Sequence, residues 1–121
     1  MPVTKRATVD RPISPAEITV VQVMLKRAAV APEYSRLGSD LNRLRVVERC
    51  SCGCDSVDFR RDRTDTRPRP IADGTGETVA GGQVGVIIWG TGDAVTGIEV
   101  YDLGAGENDI RLPAPDSIRP W

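Results

Sequence analysis

Histidine is absent from this chain of 121 residues, and only three cysteines are present. Without histidine the chain cannot by itself form a Ser-His-Asp or Cys-His catalytic site, an HExxH zinc site or a phosphohistidine. Aromatic residues make up 4% of the chain, which leaves little for the base-stacking surfaces of single-strand-binding proteins. These absences exclude several common enzyme classes and argue against a nucleic-acid-binding function.

Long hydrophobic runs are also missing. No stretch approaches the roughly 18 consecutive apolar residues that suggest a membrane-spanning helix. The first six residues, Met1 to Arg6, are polar where a secretory signal peptide has an apolar core. An odd number of cysteines within five residues fits reduced thiols better than a disulfide framework. We therefore expect a cytoplasmic protein that makes no membrane contact, and the predominance of arginine over lysine favours a bacterial source.

Charge is unevenly distributed along the chain. Residues 1–69 carry 14 Lys/Arg against 9 Asp/Glu, whereas residues 70–121 carry 2 against 8. This difference favours attraction between the two parts, either within one fold or across a dimer. Phosphate binding needs uncompensated cations, and here Glu48, Asp55 and Asp58 are interleaved with the arginines. We expect a protein partner or a homo-oligomer, and no nucleic acid.

The first predicted helix follows a segment without hydrophobic period, residues 1–13, which is expected to be a flexible arm. Ser14-Pro15-Ala16-Glu17 is a capping-box pattern, so a helix is predicted from Ser14 to about Val30, with Pro32 ending it. Several β-branched residues in this segment leave a strand as the alternative. An apolar stripe at spacings of three and four supports the helix: Ile18, Val21, Leu25 and Ala28.

Four segments show the pattern of strands. Ser39 or Asp40 is expected to cap a short helical turn, after which two short strands are predicted at 45–49 and 57–59. Residues 61–82 contain little to bury and are predicted to form a long exposed loop, with a flexible β-arm as the alternative. Two further strands, Gln83–Trp89 and Val95–Tyr101, flank a Gly-rich turn and predict an antiparallel hairpin.

The register of this hairpin can be argued from its apolar residues. A two-residue turn would pair Val86 with Glu99. A three-residue turn, Thr91 to Asp93, instead pairs Val86 with Ile98, which collects apolar side chains on one face. We therefore predict the second register, which leaves one partly apolar outer face. Its members are Gly85, Ile87, Trp89, Glu99 and Tyr101.

The predicted fold class is α+β, with an N-terminal helix packed on a mainly antiparallel sheet of about four strands. Residues 14–121 are expected to form a single domain. Three prolines after residue 112 favour an extended C-terminal tail over a central strand. Four residues are expected to anchor that tail: Ile110, Leu112, Ile118 and Trp121.

The chemistry-bearing residues of the chain are concentrated in Cys50-Ser51-Cys52-Gly53-Cys54. Three interpretations remain open. The cysteines can be small hydrophobic residues of a tight turn that Gly53 permits. They can hold zinc or another soft metal with a borrowed ligand from Glu48, Asp55, Asp58 or another subunit. They can also act as redox thiols, with Arg49 favouring the reactive thiolate.

The order of motifs resembles a group of short bacterial proteins of unknown function. The resemblance covers roughly residues 44–113. Its motifs are the Cys-x-Cys-Gly-Cys turn of Cys50–Cys54, Gly81–Val86, the Gly-Ile-Glu-Val-Tyr hairpin strand Gly97–Tyr101, and Leu112-Pro113. It implies no activity and assigns no functional residue. Small α+β bacterial proteins include immunity proteins against toxins, which is an analogy of fold alone.

Two functional hypotheses follow. The first is a non-catalytic protein that acts through protein contact, by self-association or by immunity-type binding of a partner. Its candidate interaction residues are Ile87, Trp89 and Tyr101, because they lie together on the outer face of the hairpin. The alternative is a metal-binding or redox-responsive module built on Cys50, Cys52 and Cys54, with no cofactor other than zinc expected.

Overall fold

The structure, a computed structural model, describes residues 6–27, 32–60 and 67–120. Within these ranges the chain forms two helices, α1 (Pro15–Arg27) and α2 (Pro32–Ser35), and seven strands. The strands are β1 (Arg6–Pro12), β2 (Arg45–Cys50), β3 (Val57–Phe59), β4 (Arg69–Glu77), β5 (Gln83–Gly90), β6 (Val95–Asp102) and β7 (Arg119–Pro120). All pairings are antiparallel, and the order across the sheet is β1-β2-β3-β6-β5-β4-β7.

The prediction of a helix on about four strands is therefore wrong, because the described residues form a seven-stranded sheet with two short helices. Residues 6–12, predicted as part of an arm, pair with β2 as an edge strand. Within the predicted exposed loop, Arg69–Glu77 pairs with β5 along its whole length. Residues 1–5 and 61–66 of these two predicted segments lie outside the described residues, as do Ala28, Val30 and Trp121.

The glycines of β4 are the reason that the sequence did not predict this strand. A Cβ on Gly74 would lie 2.6 Å from the carbonyl oxygen of Arg119, and one on Gly76 would lie 2.5 Å from Cβ of Pro113. Because these glycines have no side chain, the C-terminal segment can pack directly against β4. The glycines therefore serve this close contact and do not form a turn. Local composition predicts a loop here because the contacts that require glycine come from distant residues.

Helix α1 begins as its capping box predicts. The Ser14 hydroxyl accepts from the Glu17 amide at 3.1 Å, and the Glu17 carboxylate accepts from the Ser14 amide at 2.8 Å. Glu17 is only 4% exposed and also accepts two hydrogen bonds from Arg11, at 2.9 and 2.8 Å. Arg11 thus ties β1 to the start of α1. Pro32, expected only to end the first helix, begins α2.

The hydrophobic core lies between α1 and one face of the sheet, which we call the inner face. The helix contributes Val20, Val21, Met24 and Leu25, each at most 5% exposed. The buried face of α1 is therefore rotated about the helix axis relative to the predicted apolar stripe. Ile18, a member of that stripe, is only half-buried. The sheet contributes Val46, Val57, Phe59, Val84, Val86, Ile88, Ile98 and Val100.

The β5–β6 hairpin differs from the predicted register. Val86 pairs with Val100 and Ile88 with Ile98, and a bulge follows Trp89. The loop has four residues, 91–94, because Gly90 pairs with Val95, and within it the Thr91 amide donates to the Ala94 carbonyl at 2.9 Å. The observed register differs from the predicted one by two residues, so every side chain keeps its predicted face. Gly85, Ile87 and Trp89 face outward with Tyr101, Glu99 and Gly97.

The C-terminal segment is held at several points. The guanidinium of Arg27 donates to the carbonyl oxygens of Pro115, Asp116 and Ile118 at 3.2–3.4 Å. Ile118 is 2% exposed, and the segment ends as β7 on the edge of β4. No helix among the described residues is long and apolar enough to cross a membrane.

Candidate metal centre and adjoining groove

The three cysteines lie at the end of β2 and in the turn that follows it. Cys50 is 6% exposed, Cys54 is half-buried and Cys52 is exposed. Gly53 has a φ of 94°, which a side chain would disfavour, so the turn depends on glycine at this position. All three residues are thiols, and their Sγ atoms lie within 4.8 Å of one another. The turn therefore brings the predicted metal-ligating atoms together.

Backbone amides support these sulfurs. The Cys52 amide donates to Sγ of Cys50 and the Cys54 amide to Sγ of Cys52, each at 3.4 Å. The hydrogen bond between the Cys50 and Cys52 side chains raises the pKa of Cys52 to about 11, although the Cys54 amide lowers it. Cys52 is thus a neutral thiol near pH 7. This shift is opposite to the one expected of a reactive redox thiolate.

The cysteine turn is fixed by the C-terminal segment. The Asp55 carboxylate accepts from the Leu112 amide at 2.7 Å, and the Asp55 amide donates to the Ile110 carbonyl at 3.1 Å. Arg111 donates to the Gly53 carbonyl at 2.8 Å. These hydrogen bonds with residues 110–112 fix the conformation of the cysteine turn. They therefore order the sulfurs before any metal binds. Sequence reasoning missed this role of residues 110–112, since nothing local to either segment indicates it.

The carboxylates proposed as a fourth ligand do not join the sulfurs. Asp55 is engaged by Leu112, and Asp58 forms an ion pair with Arg6. The side chain of Glu48 has no ion pair or hydrogen bond within the described part of the chain. Among the described residues, the cluster of potential ligand atoms contains the three thiols and no carboxylate. The centre of this site is therefore built from sulfur alone.

A groove of about 760 Å³ adjoins the cysteines on the outer face of the sheet. The three cysteines form part of its lining, together with Trp89 and Tyr101. The indole nitrogen of Trp89 donates to Glu99 at 3.1 Å. The Tyr101 ring covers Gly85, where a Cβ would lie 2.1 Å from Cζ of the ring.

The glycines within β5 and β6 are a sequence signal of this groove. Glycines inside strands mark places where another group approaches the backbone. Gly85 lies beneath Tyr101, and a Cβ on Gly97 would lie 2.8 Å from Oδ1 of Asp58. Of the candidate interaction residues, Trp89 and Tyr101 line the groove, whereas Ile87 lies half-buried beside it on the same face.

The resemblance to short bacterial proteins stays a prediction. The chain was compared with protein-family models, with curated proteins and with solved structures, and none of the three comparisons found a match. The candidate site therefore has to be interpreted from its own geometry.

Proposed function

We propose that the protein binds a thiophilic metal ion through Cys50, Cys52 and Cys54. The observation that carries this proposal is the mutual proximity of three Sγ atoms within 4.8 Å. A zinc–sulfur bond of about 2.3 Å places the sulfurs of a tetrahedral site about 3.8 Å apart. Zinc binding would thus need to shorten the distances between the sulfurs by no more than about 1 Å.

The surroundings of the sulfurs support a metal role over a redox role. The turn is clamped through Asp55 and Arg111, which lowers the cost of ordering the ligands on binding. Two amides already donate to sulfur, and such bonds stabilise thiolates once a metal has displaced the protons. The raised pKa of Cys52 leaves little free thiolate for disulfide exchange, whereas a metal ion binds by displacing the thiol proton. A reducing cytoplasm would keep the thiols available.

The first prediction concerns zinc affinity. Cys52→Ser should lower zinc affinity by roughly tenfold or more, because even the loss of an outer-shell partner costs metal sites roughly 10–100-fold. Anaerobic competition against a chromophoric zinc chelator measures this loss. Ser51→Ala, in the same turn, is the matched control and should bind like the wild type. Equal affinity of Cys52→Ser and the wild type, with circular dichroism unchanged, would remove the proposal.

A second candidate function is protein contact through the outer face of the hairpin. The observation in its favour is that Ile87, Trp89 and Tyr101 are only half-buried and lie together beside a groove of about 760 Å³. Half-buried aromatic side chains grouped on one face are typical of interfaces. The occupant would be a second copy of the chain or a partner bound in the manner of an immunity protein.

The corresponding prediction concerns Trp89. If the face contacts a second copy, Trp89→Ala should lower the mass measured by light scattering at a fixed concentration and leave the circular dichroism intact. Val79→Ala is the control, since Val79 is 95% exposed and lies away from the groove. A wild-type mass that equals one chain at every concentration would exclude self-association and leave only a different partner.

A further inference from the structure

Among the residues that the structure describes, the candidate metal centre offers three ligands and no fourth. The chain has no histidine and no further cysteine. No carboxylate of the described residues joins the sulfur cluster. Three of the nearby acids already accept hydrogen bonds or form an ion pair: Asp55 with Leu112, Asp58 with Arg6, and Asp102 with the amides of Gly104 and Gly106. A fourth, Glu48, lines the groove without such a partner among the described residues, but it is not part of the sulfur cluster.

The number of ligands distinguishes between the metal ions that thiolates can bind. Structural zinc sites are almost always tetrahedral with four protein ligands, and three thiolates would leave zinc needing water or a foreign ligand. Soft thiolate ligands also select Cu(I), which is satisfied by lower coordination numbers than zinc. At a metal–sulfur length of about 2.3 Å, a trigonal site places its sulfurs about 4.0 Å apart. This spacing lies within the 4.8 Å limit of the observed cluster.

We infer that Cys50, Cys52 and Cys54 form a three-coordinate, all-sulfur site for Cu(I). This inference rests on the proposed function and names its metal. Two arginines place positive charge near three thiolates around a monovalent ion. Arg49 lines the same groove, and Arg111, which also pairs with Asp55 at 3.4 Å, donates to the Gly53 carbonyl at 2.8 Å. Cys50 is 6% exposed, which shields one side of the centre from solvent.

The experiment loads the full chain anaerobically with Cu(I) alone and, separately, with zinc alone. X-ray absorption of the copper form should show three sulfur neighbours and no fourth ligand, at one ion per chain. Competition with a chromophoric Cu(I) chelator should show a loss of roughly tenfold or more for both Cys52→Ser and Cys54→Ser, since each removes one direct ligand. These two variants avoid the buried Cys50, whose replacement could unfold the turn.

Glu48→Gln is the matched control, because Glu48 also lines the groove but is not part of the sulfur cluster. Its Cu(I) affinity should equal that of the wild type. Retention of full affinity by either cysteine variant would indicate two-coordinate copper and overturn the inference. A zinc form with three sulfurs and the Glu48 carboxylate, lost in Glu48→Gln, would also overturn it while leaving the proposed function intact. Failure to bind either ion would remove both.

Discussion

Ile88→Ala is expected to lower the free energy of unfolding by about 2–5 kcal/mol, the range typical of large-to-small changes in protein cores. Ile88 is 0% exposed and lies on β5, between β4 and β6. It pairs with Ile98 on one side and Ala72 on the other, so the change opens a cavity in the middle of the inner face. Urea denaturation followed by circular dichroism measures the loss.

The neighbouring residue provides the matched control. Ile87→Ala removes the same atoms from the same strand but from the half-buried outer face. The expected loss is about 1 kcal/mol or less, because less apolar area returns to water. Equal losses for the two variants would show that the outer face is covered as completely as the core. A smaller loss for Ile88→Ala than for Ile87→Ala would contradict the assignment of the two faces.

Arg11→Ala is expected to destabilise the protein by roughly 1–3 kcal/mol near pH 7, because it leaves the buried Glu17 carboxylate with Ser14 as its remaining partner. The lower part of this range is expected, since the side chain of Arg11 is 42% exposed and water can partly replace it. In the wild type, burial raises the pKa of Glu17, but hydrogen bonds from Arg11 and Ser14 outweigh this and leave it below its usual value.

The pH dependence of this loss has a definite sign. A lowered carboxyl pKa stabilises the folded state above the pKa of the unfolded chain, and this stabilisation is lost as pH falls through the folded pKa. The difference between the wild type and Arg11→Ala should therefore be largest at neutral pH and shrink in acid. Arg43→Ala is the control, because the Arg43–Asp40 pair is exposed and should contribute less than about 1 kcal/mol. A loss independent of pH would contradict the role given to Glu17.

Features encoded by neighbouring residues were predicted well. The capping box of Ser14 and Glu17 acts within one helical turn, and both bonds are present. Strand β3 shows the alternation expected of it, with Val57 and Phe59 buried and Asp58 facing outward. The faces of the hairpin were predicted correctly despite the wrong register, because the error was two residues and side chains alternate with a period of two.

Features set by distant contacts were missed. Strand β4 exists because it pairs with β5 and β7, and its glycines are needed by Arg119 and Pro113 rather than by a turn. The cysteine spacing permitted three interpretations, and only coordinates show the sulfurs converging. Asp55 was a predicted ligand by proximity in sequence. Its engagement with Leu112 depends on a segment that sequence reasoning could not place beside it.

The short junction between β3 and β6 has a consequence for how the protein folds. Strand β3 joins β6 through only Val57–Ile98 and Asp58–Gly97, whereas β4 and β5 pair along their length. These partners lie far apart in the chain, so their meeting carries a loop-closure cost that few contacts offset. We therefore expect β2–β3 and β4–β6 to form early as separate local units and to close along this junction late in folding. Strand β1 should also join late, because its partners on β2 lie about as far away in the chain. The outer-face groove, which Asp58 and Glu99 line from opposite sides of the junction, would take shape only at that last step.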